Sequence, residues 1–197
     1  MEDAESIIRG EHRNLATVLN CIASVVHDVE ERGVAPDFAL LRLAVDYVDT
    51  FLYTFHHPKE TDHLFAALRR RAPSLAAELD ELEAQHRQGR TMVDALGAAL
   101  DAYELGGEDG HRGFKQAAEA FHRYEWSHML KEEKSILPFA RGCLTAADWD
   151  KIDAVFRDYQ DPVFGARRKQ EFDALYDRIV SLGPVCVTAR GDPSAER

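Results

Sequence analysis

His56-His57-Pro58-Lys59-Glu60 and His128-Met129-Leu130-Lys131-Glu132 decide how this sequence is read. Each holds a histidine and a glutamate four residues apart. On an α-helix that spacing puts both side chains on one face, one above the other. Each pair also lies inside a long segment of helical apolar periodicity, at positions where a core is expected. Two such pairs point to an internal site that uses imidazole and carboxylate together.

The 56–60 stretch belongs to a helix expected from about residue 38 to 70. Its stripe reads Leu41, Val45, Val48, Leu52, His56, Glu60, then His63 or Leu64, then Ala67. Pro58 lies inside it. A mid-helix proline removes one backbone hydrogen bond and sets its ring against the carbonyl four residues back, here Thr54, at ~3 kcal/mol. The resulting kink would help aim the neighbouring side chains. The 128–132 stretch lies in a helix expected over 111–141, whose inward face reads Phe114, Ala118, Phe121, Tyr124 or Glu125, His128, Glu132 and Ile136.

Two other long helices are expected. Residues 3–32 carry the seam Ile8, His12, Leu15, Leu19, Ile22, Val26, Val29, and residues 74–105 carry Leu75, Leu79, Leu82, His86, Gly89, Val93, Leu96, Leu100, Tyr103. Their steps alternate four and three, as along a coiled-coil seam. His12 and His86 take apolar slots, and Gly89 leaves room one turn beyond His86. Gly33 and Pro36 end the first helix and Asp37 caps the second. Arg71 to Ser74 is a tight link, and Gly106 to Gly110 a loop. Thr145 caps a fifth helix over 146–159, bearing Trp149, Ile152, Val155 and Phe156. Asp161-Pro162 breaks the chain, and a sixth helix over 165–181 carries Phe172, Leu175, Tyr176 and Ile179. The fold class is therefore all-α: an up-down-up-down four-helix bundle over 1–142, two additional C-terminal helices packed on the same domain over 143–183, and a tail over 184–197.

In that topology His12 near the start of the first helix, His56 and Glu60 late in the second, His86 early in the third, and His128 and Glu132 late in the fourth come level at one end. Four imidazoles and two carboxylates buried without partners would cost several kcal/mol. A pair of cations removes that cost. The donor set suits iron, manganese or zinc better than calcium or magnesium. Two carboxylates from opposite helices can bridge two metals, and the count leaves positions open for water or O2, as a reactive or sensing centre requires. A lone histidine in a stripe is more often a packed one, and a lone His-x-x-x-Glu is often a solvated pair; four histidines in four seams at one level carry the assignment. His27, His57, His63, His111 and His122 receive no ligand role. Tyr53 and Tyr124, about one turn before His56 and His128, stand where a phenol can hydrogen-bond a small ligand at the metal, or can simply pack.

The totals narrow the classes. The 197 residues carry a formal net charge of -11, which disfavours nucleic acid and anionic membrane as partners. No apolar run reaches the ~18 residues of a membrane span, and the acidic N-terminus lacks the regions of a signal peptide. The three cysteines, Cys21, Cys143 and Cys186, form no disulfide framework and read as buried apolar residues of a protein in a reducing cytoplasm.

Glu11-His12-Arg13, His56 to Glu60, Glu83 to Gly89, and His128 to Glu133 followed by Ile136-Leu137-Pro138 together resemble the hemerythrin-like, or HHE cation-binding, domains. Asp161 to Gly165 is similar to a feature of bacterial members with extra C-terminal helices. The resemblance implies a non-haem di-iron centre, oxo- or hydroxo-bridged, with His12, His56, Glu60, His86, His128 and Glu132 as ligands. It implies a small ligand such as O2, NO or peroxide, with binding, sensing, iron handling or redox turnover left open; a homodimer or protein partner would carry any signal. Oxygen-carrying members place two histidines four apart on the third helix. Here Leu82 and Arg90 stand four residues from His86, and Thr61 follows Glu60 where many relatives have a second glutamate. One imidazole is thus expected to be missing, which argues against a plain oxygen store. Three rivals remain: a ferritin-like iron-handling bundle, a partner-binding helical protein without metal, and a structural zinc site. The four-residue link between the second and third helices is too short for the crossover of a ferritin-like fold.

Overall fold

A computed structural model describes residues 3–106, 108–157 and 166–182. Within them the chain is all-helical, in six helices. The first, α1, spans Ala4–Arg32. The second, α2, runs over 38–71 with two wide π segments, Phe51–His56 and Glu60–Phe65, set in α-helix. The third, α3, opens as a 3-10 turn, Pro73–Leu75, and continues as Ala76–Leu105. The fourth, α4, covers 108–143 with one π segment, Glu132–Ile136. Two shorter helices follow, α5 over Ala146–Arg157 and α6 over Ala166–Leu182.

The ends follow local chemistry. Asp3 accepts from the Ser6 N–H and Asp37 from the Leu40 N–H, each satisfying an orphan donor of a first turn. The Gly33 N–H closes α1 on the Val29 carbonyl. Thr145 and Asp148 cap α5 reciprocally: the Thr145 hydroxyl accepts from the Asp148 N–H, and Asp148 accepts from the Thr145 N–H. The expected loop before α4 is shorter than the sequence suggests, because α4 begins at Glu108 rather than His111. A Cβ on Gly110 would stand 2.8 Å from the Ala102 carbonyl oxygen. Glycine there lets the first turn of α4 lie directly on the last turn of α3.

Ion pairs fix the directions. Arg9 meets Glu133 at 2.8 Å and Lys115 meets Glu30 at 2.7 Å, so α4 runs against α1. Arg42 meets Asp101 at 2.9 Å and Arg69 meets Glu83 at 2.7 Å, so α3 runs against α2. The buried side chains form two apolar clusters. One holds Leu15, Leu19, Leu52, Leu96 and Phe121; the other holds Ile8, Leu64, Leu79, Ile136 and Phe156. A layer of buried polar side chains lies between them in the sequence of every long helix. Helix α6 joins the first cluster through Ile179, and α5 joins the second through Ile152 and Phe156.

Expectations for Tyr159, for Asp161 to Gly165, for the Phe172 side chain, for Cys186 and for the tail 184–197 fall outside the described residues. Among the described cysteines, Cys143 is free and Cys21 is disulfide-bonded, which corrects the reading that excluded a disulfide. No helix of the described residues is long and apolar enough to cross a membrane.

Candidate metal centre

The wide turns explain how the centre is assembled. Val48, Leu52, His56, Glu60, Leu64 and Leu68 are all buried. They are spaced four residues apart throughout. On a regular α-helix each four-residue step drifts by about 40°, so five steps would carry the stripe about 200° around the axis. The two π segments of α2 absorb the extra residues and hold the stripe on one face. Helix α4 repeats the device: His128, Glu132, Ile136 and Ala140 are buried at spacings of four, with the π segment at their centre. Each proline follows a wide turn. Pro58 is the second residue after Phe51–His56, and Pro138 the second after Glu132–Ile136. The carbonyls their rings would strike, Thr54 and Lys134, lie inside those segments. The expected kink is thus realised as a wider turn.

The structure brings the six sequence-predicted residues together in two groups. His12 Nε2 and His56 Nε2 stand 3.2 Å apart, and His86 Nε2 and His128 Nε2 stand 3.1 Å apart. Glu60 and Glu132 lie between the pairs. Glu60 Oε1 is 3.4 Å from His56 Nε2, while its Oε2 is 3.8 Å from His86 Nε2. Glu132 Oε2 is 3.4 Å from His12 Nε2, while its Oε1 is 3.4 Å from His128 Nε2. Each carboxylate therefore turns one oxygen to each imidazole pair.

The imidazoles are held from behind. The Nδ1–H of His12 donates to Glu133 Oε1 at 2.9 Å, that of His56 to Glu11 Oε2 at 2.9 Å, and that of His128 to Gln85 Oε1 at 2.9 Å. His86 Nδ1 hydrogen-bonds the Thr61 hydroxyl at 3.2 Å. The carboxylate and amide acceptors behind His12, His56 and His128 keep a proton on each Nδ1 and turn each Nε2 inward, as metal-binding histidines require. Glu11 is anchored in turn by Lys59, whose Nζ lies 2.7 Å from Oε1 and sits over the rings of Phe55 and Phe156.

The sequence reading gave His57 no ligand role; the structure places it among the candidate ligands. It is 4% exposed, stacks on His86 with ring centroids 3.8 Å apart, and has no hydrogen-bond partner on either ring nitrogen. His57, Glu60, His86 and His128 each offer a donor atom within 4.8 Å of the others, and so do His12, His56, Glu60 and Glu132. Adjacent residues on a regular helix diverge by about 100°. The wide turn ending at His56 lets both histidines face inward. The signal was in the sequence: a histidine doublet before a proline, in a stripe of unbroken four-residue steps. Glu11, Lys59, Gln85, Thr61 and Glu133 were also missed as supports, because nothing in their spacing distinguishes them from surface residues.

Tyr53 and Tyr124 take different positions. Tyr124 donates to the Gln85 carbonyl at 3.0 Å, steadying the residue that holds His128. The Tyr53 hydroxyl is buried with no partner among the described residues, and its ring lies edge-on to His57. Of the remaining histidines, His122 bonds Asn20 at 3.0 Å and none of His27, His63, His111 or His122 joins either group.

The electrostatics suit cations. Burial, with the charge of Glu132, pushes the Glu60 carboxyl well above its ordinary range. Burial opposes ionisation of Glu132 too, but His128 and His12 outweigh it and hold it at about 2. Burial disfavours charged His12, yet the Glu132 carboxylate 3.4 Å away and the Glu133 carboxylate on its Nδ1 raise it to about 10. Burial and the neighbouring imidazoles hold His57 well below the ordinary value and His86 at about 3. Protons alone thus serve the set poorly: Glu60 Oε2 and both oxygens of Glu132 find no hydrogen-bond donor, although lone pairs converge on them. Cations between the two groups would satisfy every one of these atoms, so the donor set fits metal. A cleft of about 200 Å³ between α1 and α4, walled by Ala16, Trp126, Met129 and Glu133, reaches His12 from the surface.

No curated protein matches the chain. Residues 3–140 match the family model described as the hemerythrin HHE cation binding domain.

Proposed function

Because the chain belongs to the hemerythrin HHE cation-binding family, we propose that its four long helices form an up-down-up-down bundle holding two irons, and that this centre binds or senses a small ligand such as O2, NO or peroxide. The observation that carries the reading is the disposition of Glu60 and Glu132, each with one oxygen toward each imidazole pair. That is how bridging carboxylates face two metals. His12 and His56 would hold one iron, and His57, His86 and His128 the other. Manganese or zinc would satisfy the same donors, and redox chemistry is what selects iron.

The count of donors assigns the sides. Two imidazoles and two carboxylate oxygens leave two positions of an octahedron on the His12 side; three imidazoles and two oxygens leave one on the His57 side. The small ligand can enter from the cleft on the His12 side and take an open position at either metal. If His57 is a ligand in this reading the imidazoles number five, and the argument from a missing one against reversible O2 binding would no longer apply. Bound iron would supply one-electron chemistry and open coordination positions. The chain's own residues orient the imidazoles through Glu11, Glu133, Gln85 and Thr61, and exclude bulk water with the two apolar clusters.

Metal analysis and optical spectroscopy of aerobically purified protein test this. Two equivalents of iron per chain with near-ultraviolet absorption that changes on dithionite reduction, and again on O2 or NO, is the expected result. Absence of iron, or full occupancy by zinc alone, refutes it.

A further inference from the structure

One turn from the metal-binding layer, Tyr53 of α2, Gly89 of α3 and Glu125 of α4 meet. A Cβ on Gly89 would stand 2.7 Å from the Tyr53 hydroxyl oxygen and 2.8 Å from Glu125 Oε1. The missing side chain is the room that admits both polar heads. Tyr53 precedes His56 by three residues, Glu125 precedes His128 by three, and Gly89 follows His86 by three. Glu125 and Gly89 thus share helix faces with His128 and His86, and the Tyr53 ring lies against His57.

Neither head is satisfied. Glu125 is 1% exposed, and its Oε2 has no hydrogen-bond partner; nor has the Tyr53 hydroxyl. No lysine or arginine forms an ion pair with Glu125 among the described residues. An ionised carboxylate would be costly in such a place, whereas a carboxylic acid carries an O–H to donate. Two unused donors one turn from a cation-binding layer can receive an anion.

We propose that Glu125, as a neutral acid, and Tyr53 form a donor pair that hydrogen-bonds a small anionic ligand held at the metal centre. This rests on the preceding reading of the two groups as a two-metal site. Burial supports it by pushing the Glu125 carboxyl up to about 8; the charge of Glu132 adds to the shift and His12 opposes it. Burial therefore favours the acid form in the metal-free protein. The pair selects ligands with exposed lone pairs and negative charge, such as azide or a reduced oxygen species, over neutral diatomics.

Azide titration of the ferric protein, followed optically, tests the pair. Tyr53→Phe and Glu125→Ala should each weaken azide binding by about tenfold, the worth of one good hydrogen bond. Glu125→Gln keeps a donor and should stay within about threefold of the parent. Unchanged affinity in Glu125→Ala and Tyr53→Phe overturns the proposal. So does tighter binding in Glu125→Gln, which would reveal a repelling carboxylate. A second readout needs no iron: the infrared spectrum of the metal-free protein at neutral pH should show a protonated-carboxyl band that Glu125→Gln removes. Absence of that band also overturns the proposal. A parent protein without iron would instead refute the two-iron reading.

Discussion

Lys59→Met should destabilise the metal-free protein by about 3 kcal/mol at neutral pH, a figure that follows from the burial of the pair it breaks. Lys59 is 1% exposed and Glu11 5% exposed. Their charges meet at 2.7 Å. Methionine keeps most of the apolar stem against Phe55 and Phe156 and removes the charge alone. Burial opposes ionisation of Glu11, but Lys59 first, and then His56, hold its carboxyl at about 2, against an ordinary 4.5. A displacement of that size corresponds to about 3 kcal/mol, and removing one partner of a buried pair costs about 3–5 kcal/mol. The two routes agree. For a chain of this length the midpoint of thermal unfolding should fall by about 6–12 °C. The sign of the pH dependence is fixed because the folded-state value is depressed. The stabilisation is complete above about 4.5 and drains away as the pH falls toward about 2. Urea unfolding of parent and variant at a series of pH values should therefore show curves that converge in acid. Glu11→Gln combined with Lys59→Met should cost less than the sum of the single changes, with coupling above about 1 kcal/mol. A variant within about 0.5 kcal/mol of the parent at pH 7, strict additivity, or a difference that persists undiminished to pH 2.5 would refute the argument.

His128→Ala should cut bound metal sharply, because it removes the imidazole nearest Glu132 Oε1, whereas His122→Ala, bonded to Asn20 away from the centre, should leave metal content unchanged. His57→Ala should lower occupancy from two metals toward one while helix content by circular dichroism holds; retention of two tightly bound metals would remove His57 from the donor set. Gly89→Ala should displace the Tyr53 and Glu125 heads that its Cβ would strike, weakening azide binding about tenfold while metal content stays within error. Pro58→Ala restores a helical N–H and should raise the melting temperature of the metal-free protein, yet loosen the second metal, because a regular turn would swing His57 off the inward face; equal metal affinity would show that the wide turn does not depend on the proline.

The all-helical class was legible because it rests on periodicity. The α3 stripe from Leu79 to Tyr103 is buried at every expected position, and a strict four-three rhythm can be read off the chain with no knowledge of its neighbours. The clustering of the six candidate residues was legible for a related reason: an ionisable residue in an apolar slot stands out against its own helix. His57 was not legible under the same rule. An ideal helix sends it about 100° away from His56, and its stacking on His86 is a three-dimensional fact. Glu125 was seen as an alternative to Tyr124 on the inward face, but its isolation from any cation is a three-dimensional fact. Lys59 and Glu11 were hidden by their type, since charged residues are taken for surface unless a partner is known. The disulfide at Cys21 was misread because spacing carries no information about long-range pairing.

The distribution of wide turns follows the distribution of donors. Helices α1 and α3 have no π segment, and each brings one inward imidazole to the centre. Helix α4 has one and brings His128 and Glu132. Helix α2 has two and brings His56, His57 and Glu60. A straight helix in a four-three seam offers about one inward side chain per turn at a given level. Crowding several donors into one level therefore demands extra residues in the turn, and those turns have poorer hydrogen-bond geometry than the α-helix they replace. They persist here in buried backbone, flanked by prolines that cannot form the regular bond in any case. The fold thus gives up helical regularity at the places where it gains donors, and a bound metal pair would return that stability. Cation binding and bundle stability should for that reason be strongly linked in this chain.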